Sequence, residues 1–258
     1  MDIPRARSAL RDTLSAVEME QLVTAHVRSP DVRRQAMVVA RDWAAGPGYH
    51  PQDVDVLFHD GDLEIGGDFH TGIEPWTQML VVHGDLAVSG LLEDCLDPES
   101  LIVVTGDLRA GNLITEGWLE VQGNVTIDGC VLFEDNDCSA RIVGNLTAGL
   151  IFTKYHHVEV GGQVTAPLIA GDYRRIESPH NFSFVEETDP SLVPLLVPEV
   201  LSIEGDASGE FDEDWSLDYV DSRAMADLIR AGKSPLRAGA PSHTALGSAS
   251  PLQVPQKR

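Results

Sequence analysis

Basic and aromatic residues are both scarce in this sequence. Only 18 Lys and Arg stand against 41 Asp and Glu, giving a formal net charge of −23, and aromatic residues make up 6% of the 258 positions. Nucleic-acid binding depends on clustered Lys and Arg that neutralise phosphates, so this balance argues against direct contact with DNA or RNA. It favours a basic protein partner, because opposite charges steer association. The alternative is that the acidic residues simply keep an elongated protein in solution.

Long apolar runs and cysteines are also few. No stretch of about 18 consecutive apolar residues is present, and the first twelve residues lack the hydrophobic core of a secretion signal. Cys95, Cys130 and Cys138 form no Cys-x-x-Cys pair, which is typical of reduced thiols and not of a disulfide framework. These absences predict a cytoplasmic protein with no membrane segment.

The charge is distributed unevenly along the chain. Residues 1–48 contain seven Arg and six acidic residues, so the acidic excess lies beyond residue 48. Apolar residues at helical intervals over 6–45, interrupted at Pro30, predict an N-terminal helical cap across 1–48. Three further regions are predicted: a β-helix repeat domain over 53–175, a C-terminal capping segment over 176–237 with an acidic stretch and a short helix near 221–231, and a disordered tail over 238–258.

A short glycine motif recurs through the middle of the chain. Each copy is Gly, then Asp, Asn or Gln, then an apolar residue, and successive copies are 17, 22, 17, 21 and 18 residues apart. Such self-similarity is typical of a solenoid. Alternating Val, Leu and Ile around each copy predict strands, with the glycines at corners. The copies are Gly67-Asp68-Phe69, Gly84-Asp85-Leu86, Gly106-Asp107-Leu108, Gly123-Asn124-Val125, Gly144-Asn145-Leu146 and Gly162-Gln163-Val164.

These units predict a mainly β protein: a single-stranded parallel β-helix of about six coils, with an α-helical N-terminal cap and a small C-terminal helical segment. Apolar positions on both sides of each motif, including Cys130, are expected to stack into ladders that fill a narrow interior. The longer units carry their extra residues about nine to fifteen positions after the glycine, and insertions at one corner of a solenoid usually map to one face.

The repeat units resemble those of the bactofilin-like group of polymer-forming β-helix proteins, over nearly half of the chain. They are also similar to other bacterial β-helix proteins, some of which look like toxin-immunity proteins. The resemblance implies either a scaffold that polymerises end to end or a protein that binds another protein. Folded caps before and after the repeats would cover the open strand edges that polymerisation needs, so self-association is the weaker expectation.

The repeated Asp raises the question of acid–base catalysis, which needs two carboxylates with separated pKa values in a cleft. The same motif position carries Asn124, Asn145 and Gln163, so a charge is not required there. Hydrogen bonding to the turn backbone is the better interpretation. No nucleophile elbow, phosphate loop or dinucleotide motif is present. The sequence therefore predicts neither an enzyme nor a cofactor, and a carbohydrate-active enzyme is disfavoured.

A pair of histidines, His156 and His157, stands out in the fifth unit. Glu134, Asp137 and Cys138 are expected nearby on the preceding coil, and all these residue types can bind zinc. Adjacent residues of a strand point to opposite sides, however, so the two histidines are poorly placed to share one metal. No metal site is therefore assigned.

The inserts at one corner form the predicted partner-binding face. Acidic residues there would steer a basic partner, and Tyr and Arg make good interface anchors. The most concrete hypothesis is an immunity protein that neutralises a basic toxin domain; an ordinary solvated loop face is the alternative. The predicted binding residues are Glu93, Asp94, Asp97, Glu134, Asp135, Asp137, Tyr155, His156, Tyr173 and Arg174.

Overall fold

Successive segments of the chain alternate between two sheets, and each coil adds a strand to both. In this computed structural model the result is a parallel β-solenoid of about five turns with an α-helix near the C-terminal end. This confirms the predicted fold class and comes close to the six coils expected. The structure describes residues 11–12, 21, 24–25, 54–72, 76–95, 100–134, 137–172, 175–204 and 216–239.

The strands are short and follow one another closely along the chain. In order they are β1 (Arg11–Asp12), β2 (Val54–Asp60), β3 (Leu63–Ile65), β4 (Phe69–His70), β5 (Trp76–His83), β6 (Leu86–Glu93), β7 (Leu101–Val104), β8 (Leu108–Thr115), β9 (Trp118–Val121), β10 (Val125–Glu134), β11 (Ser139–Ile142), β12 (Leu146–Lys154), β13 (His157–Val160), β14 (Val164–Thr165), β15 (Leu168–Gly171), β16 (Ile176–Glu177), β17 (Val185–Glu186), β18 (Leu201–Glu204) and β19 (Ser216–Val220). Two 3-10 helices (Pro190–Leu192 and Pro198–Val200) and the α-helix α1 (Ser222–Arg230) complete the described elements.

The two sheets use alternate segments of each coil. Sheet A has the order β1-β2-β5-β7-β9-β11-β13-β16, and sheet B has the order β17-β15-β12-β10-β8-β6-β3, with β4 beside β6 and β14 beside β12. Strands of successive coils pair in parallel, whereas β18 and β19 form a separate antiparallel pair. The solenoid is therefore built from equivalent segments stacked on one another.

The N-terminal edge of sheet A is covered by β1, which pairs antiparallel with β2. A helix was predicted over 6–45, and at Arg11 and Asp12 this prediction is wrong. The free edge of β2 offers unpaired backbone groups that an extended segment can satisfy. Residues 21, 24 and 25 are helical, and the remainder of the predicted cap lies outside the described residues, as do positions 240–258 of the predicted tail.

A ladder of side-chain hydrogen bonds runs along the corner between the two sheets. In each coil the side-chain oxygen after the glycine accepts a hydrogen bond from the backbone N–H of its equivalent in the next coil, at 2.8–3.0 Å. Both Asp and Asn offer this oxygen, so the structure confirms that the motif position needs an acceptor and not a charge. The acceptors are Asp62, Asp85, Asp107, Asn124 and Asn145.

The first copy of the motif lies six residues earlier than predicted. The N–H of Asp85 donates to the aspartate of Gly61-Asp62-Leu63, which makes that triplet the first copy. Gly67-Asp68-Phe69 lies instead at a second bend, where its aspartate accepts a hydrogen bond from the N–H of Leu91 at 2.8 Å. The prediction was wrong because both bends carry a Gly-Asp pair in this coil.

Glycine is needed at the first corner because successive coils approach closely. The Gly106 N–H donates to the Gly84 carbonyl at 2.8 Å, and a Cβ on Gly106 would lie 2.7 Å from the backbone of Gly84. Real Cβ atoms do not approach backbone so closely, so any larger residue would push the coils apart. The recurrence of glycine thus reflects stacking.

Two separate hydrophobic clusters stabilise the fold. One fills the solenoid interior with aliphatic side chains from both sheets. The other lies outside sheet B, where Leu132 and Leu150 pack against Leu196 and Met225 of the C-terminal segment. Cys130 is 3% exposed, as expected of a buried thiol, but it belongs to this outer cluster and not to the solenoid interior as predicted. Burial raises its pKa to about 11.

The predicted short helix near 221–231 is confirmed as α1. Asp221 caps it by accepting a hydrogen bond from the Ala224 N–H at 3.0 Å, the usual role of an N-cap carboxylate. Met225 and Ile229, one turn apart, are buried in the outer cluster. None of the helices in the described part of the chain is long and apolar enough to cross a membrane.

Candidate docking surface

The predicted docking corner lies where strands of sheet B end and the chain turns back toward sheet A. Glu93, Glu134 and Lys154 are the last residues of β6, β10 and β12. Glu134 and Lys154 are register partners on neighbouring strands. Helix α1 lies against β10 and contributes side chains to the same corner. The insert positions of different coils therefore do share one face.

Glu93 anchors α1 to the solenoid. One carboxylate oxygen accepts hydrogen bonds from Arg230 Nη2 at 2.6 Å and Nε at 2.8 Å, and the other pairs with His70 Nδ1 at 2.7 Å. Burial by itself would raise the pKa of Glu93, but the hydrogen bonds from His70 and Arg230 outweigh burial and hold the pKa below its usual range. The Glu93 carboxylate is thus engaged within the molecule.

Glu134 makes a second contact with the same helix. Its carboxylate accepts a hydrogen bond from the Ser222 hydroxyl at 2.6 Å. Arg230 also reaches toward Glu116, at 3.8 Å. Between these contacts lies a cavity of about 200 Å³ lined by Glu116, Glu134, Arg223, Ala226 and Arg230. Part of the predicted docking corner is therefore covered by the protein's own C-terminal segment.

Asp94 is buried, whereas an exposed position was expected. It is 1% exposed, one oxygen accepts from the N–H groups of Glu116 and Gly117 at 2.7 Å, and the other accepts from the Thr115 hydroxyl at 2.7 Å. Burial raises the pKa of Asp94 to about 7 despite these hydrogen bonds. The side chain turns inward because the next coil's turn backbone requires an acceptor.

His156 is also buried, at 0% exposure, and so does not lie on the expected rim. Its Nδ1 is 2.9 Å from the Glu134 carbonyl oxygen, and its ring stacks on Phe133 with a centroid distance of 5.9 Å. His157 is exposed, so the two rings lie on opposite sides, as strand alternation predicts. Within the described ranges, no group of three or more His, Cys, Asp or Glu side chains could hold a metal ion.

Two exposed tyrosines lie near one lysine at the later coils of the corner. Tyr155 is 47% exposed and Tyr219, on β19, is 42% exposed. Lys154 Nζ is 5.1 Å from the Tyr155 ring centroid and 6.0 Å from that of Tyr219. These distances allow cation–π attraction, which holds both rings against the lysine. We call Lys154, Tyr155 and Tyr219 the tyrosine patch.

The backbone under the patch is held in an unusual conformation. Tyr155 has φ +64°, in the left-handed region that residues with a Cβ seldom adopt. Its N–H donates to the Asp172 carboxylate at 2.7 Å, which stabilises the turn. Asp172 is itself 4% exposed, and burial raises its pKa. The exposed Tyr155 ring thus lies on a turn whose backbone strain is offset by the hydrogen bond to Asp172.

The positive charge of Lys154 is compensated by an ion pair within the molecule. Its Nζ lies 2.7 Å from both carboxylate oxygens of Glu187, and the two side chains are 14% exposed. Burial would lower the pKa of Lys154, but the hydrogen bond from Lys154 to Glu187 outweighs it and raises the pKa. Its charge is therefore compensated by Glu187 within the molecule. The patch therefore presents aromatic surface, with exposed Asp218 beside Tyr219.

No family model matches this chain, and no similar protein was found among curated proteins or solved structures. The geometry of the surface must therefore carry the functional argument by itself.

The predicted residues end up in different environments. Tyr155 and Asp137 are exposed, while Glu93 and Glu134 are half-buried and hold the C-terminal segment. Four lie outside the described residues: Asp97, Asp135, Tyr173 and Arg174. Sequence reasoning missed Tyr219 and Arg230; the available signal was an aromatic residue just before the predicted C-terminal helix and a basic residue at its end.

Proposed function

We propose that this chain is a non-enzymatic protein-binding β-solenoid that docks a basic protein through the tyrosine patch. The observation that carries the proposal is that two exposed tyrosines, Tyr155 and Tyr219, both lie within about 6 Å of the Lys154 ammonium. Over the described residues, the exposed large hydrophobic side chains are Val143, Tyr155 and Tyr219, and two of these three share one lysine. Tyrosine is enriched at interface hot spots because its ring buries a large area with little loss of conformational entropy.

The charge of the chain supports a basic partner. The net charge is −23. Asp137 is exposed in the turn after β10, and Asp218 is exposed next to Tyr219 in the sequence. Carboxylates at a rim speed the association of a positively charged protein, and an arginine of that protein can stack on a tyrosine ring. Exposed aromatic anchors on a strongly acidic chain thus match a partner rich in Arg and Lys.

The most specific form of the proposal is an immunity protein that neutralises a toxin domain. A toxin that acts on nucleic acid must expose Lys and Arg to reach phosphates. An acidic protein that docks on those residues would block access to the nucleic acid. In this form, co-expression of the chain protects cells against the toxin domain, and the same tyrosines are needed for protection.

The proposal is tested by capture from cells that naturally express the chain. Tagged protein is crosslinked at low salt and its partners are quantified by mass spectrometry, with a Tyr155→Ala/Tyr219→Ala double variant and Val143→Ala as the matched control. We expect one basic protein with the unmodified chain and the control, and about tenfold less with the double variant. Equal recovery with all three chains, or no basic protein at all, would overturn the proposal.

End-to-end polymerisation is the second candidate, and one observation disfavours it. Strand β1 pairs with Leu57 and Phe58 of β2, so part of the N-terminal edge of sheet A is already occupied and less of it is left for a second copy. Sedimentation velocity of the pure protein distinguishes the two functions. A single compact species is expected, whereas filaments would favour the scaffold.

A further inference from the structure

At the C-terminal end of sheet B, the described residues place a strand on only one side of β14. After the sixth coil, the chain pairs with that coil at β16, beside Val158 and Glu159, and at β17, beside Ala170 and Gly171. Strand β14, which lies between these points, pairs with β12 on one side. On its other side the described residues supply no strand.

A row of backbone hydrogen bonds along the same corner shows which backbone groups face this side of β14. In five successive coils the N–H at the position after the Asp, Asn or Gln donates to a carbonyl of the next coil, at 2.8–2.9 Å: Leu63 to Asp85, Leu86 to Asp107, Leu108 to Asn124, Val125 to Asn145 and Leu146 to Gln163. Val164 is the next member of this series. In a parallel strand both backbone groups of a residue point to the same neighbour, so the N–H and C=O of Val164 face away from β12.

A groove and an incompletely covered core lie beside this edge. The groove has a volume of about 260 Å³, with Val164–Pro167 on one wall and Asn181–Ser183 on the other. Three side chains packed against the interior cluster are only partly buried, and all lie at this end: Ala166, Phe182 and Phe184. An added strand with an apolar residue opposite Val164 would continue the interior column and cover these side chains.

We propose that this edge accepts an extended basic segment of the protein partner as an added parallel strand. A carbonyl of the segment accepts a hydrogen bond from the Val164 N–H, an N–H two residues later donates to the Val164 carbonyl, and the residue between them is aliphatic. The basic character follows from the net charge of −23 and from exposed Glu177. Glu177 precedes Ser178, whose hydroxyl donates to the Gly162 carbonyl beside the edge at 2.8 Å.

The identity of the segment as part of a basic partner rests on the proposed function, but the edge can be tested without that partner. The probe is a dye-labelled peptide that copies residues 144–150, Gly-Asn-Leu-Thr-Ala-Gly-Leu, with lysines added at both ends. In the solenoid this stretch already pairs with the coil before it in the required register. The peptide therefore has the sequence of a strand that pairs with the coil before it, as an added strand would pair with β14.

Two N-methylated peptides make the test specific. Methylation of the threonine nitrogen removes the N–H that would donate to the Val164 carbonyl. Methylation of the nitrogen of the first leucine, which precedes the threonine, alters a group that points away from the protein. Fluorescence anisotropy is expected to show saturable binding of the parent and leucine-methylated peptides, and about tenfold weaker binding of the threonine-methylated peptide. Amide hydrogen exchange at Val164 is expected to slow when the parent peptide binds.

Equal binding of the two methylated peptides, absence of binding, or unchanged exchange at Val164 would each overturn this inference. Protection of the Val164 amide that rises with protein concentration in the absence of peptide would also overturn it, because a second copy would then occupy the edge. Partner capture through the tyrosine patch would be unaffected by any of these results, so this inference and the proposed function can fail separately.

Discussion

Asp94 allows a direct test of whether burial outweighs hydrogen bonding at a carboxylate of the docking corner. The carboxylate is 1% exposed, and burial raises its pKa from 3.8 to about 7 even though three hydrogen bonds are donated to it. In Asp94→Asn the amide oxygen can still accept from the Glu116 and Gly117 N–H groups. The amide nitrogen can donate to the Thr115 hydroxyl, which then acts as an acceptor. The variant thus mimics the protonated carboxyl at every pH.

The sign of the pH effect follows from linkage. The native state binds the Asp94 proton more tightly than the unfolded state does, so the stabilisation is fully present below pH 4 and is lost as the pH rises to 7. A pKa change of about 3 corresponds to about 4 kcal/mol between these limits. The neutral variant does not lose this free energy. Relative to the unmodified protein, Asp94→Asn should therefore gain stability as the pH increases.

The assay is urea unfolding of both proteins at pH 4, 5, 6, 7 and 8. We expect the difference in unfolding free energy to shift in favour of the variant by up to about 4 kcal/mol between pH 4 and 8, and to level off above the Asp94 pKa of about 7. The matched control is Asp85→Asn, at an exposed ladder position where later coils carry Asn naturally. The same urea series on this control reports what an Asp-to-Asn change does at an exposed position.

A constant difference for Asp94→Asn would refute the argument that burial dominates at this site. A difference that moves against the variant as the pH rises would show that the three hydrogen bonds hold the carboxylate in its charged form, which is the opposite balance.

Three further predictions concern stacking, the helix anchor and the outer core. Gly106→Ala should lower the free energy of unfolding by about 1–3 kcal/mol in denaturant titrations, because its Cβ would meet the Gly84 backbone; unchanged stability would contradict close stacking. Arg230→Ala should cost about 1 kcal/mol, since the guanidinium is partly exposed, and should speed amide exchange throughout α1. Slower or unchanged amide exchange in α1 would argue against Arg230 as the residue that holds this helix to Glu93. Leu150→Ala should cost about 2–5 kcal/mol and increase protease cleavage within 192–230, whereas an unchanged cleavage rate would show that the outer core does not hold that segment.

Much of the solenoid could be predicted from local pattern. A strand alternates its faces with a period of two, and a close-packed corner admits glycine and a small polar acceptor, so both leave a repeated trace in the sequence. Asp85 and Asn124 were correctly interpreted as ladder residues on this basis. Gly67 was misplaced because two bends of one coil carry the same dipeptide, and only pairing with the next coil distinguishes them.

The candidate surface was harder to predict, because exposure there depends on residues far apart in the chain. Glu93 and Arg230 are 137 positions apart, and nothing local to either indicates that they form an ion pair. Asp94 follows Glu93 directly, yet one is buried and the other bridges two elements. The acidic composition of the insert was visible in the sequence, whereas the direction of each side chain was not.

The sequence by itself determined the parallel β-solenoid, its corners and the presence of a C-terminal helix, because these depend on periodicity and on backbone sterics that each residue carries with it. The tertiary structure decided that Cys130 and Leu150 lie in an outer core, that α1 covers part of the insert corner, and that Tyr155 and Tyr219 lie near the same lysine. Those outcomes depend on which distant segment packs on the outer face of sheet B. Burial is a property of the assembled fold, and a buried outward-facing strand has the same sequence pattern as a buried inward-facing one.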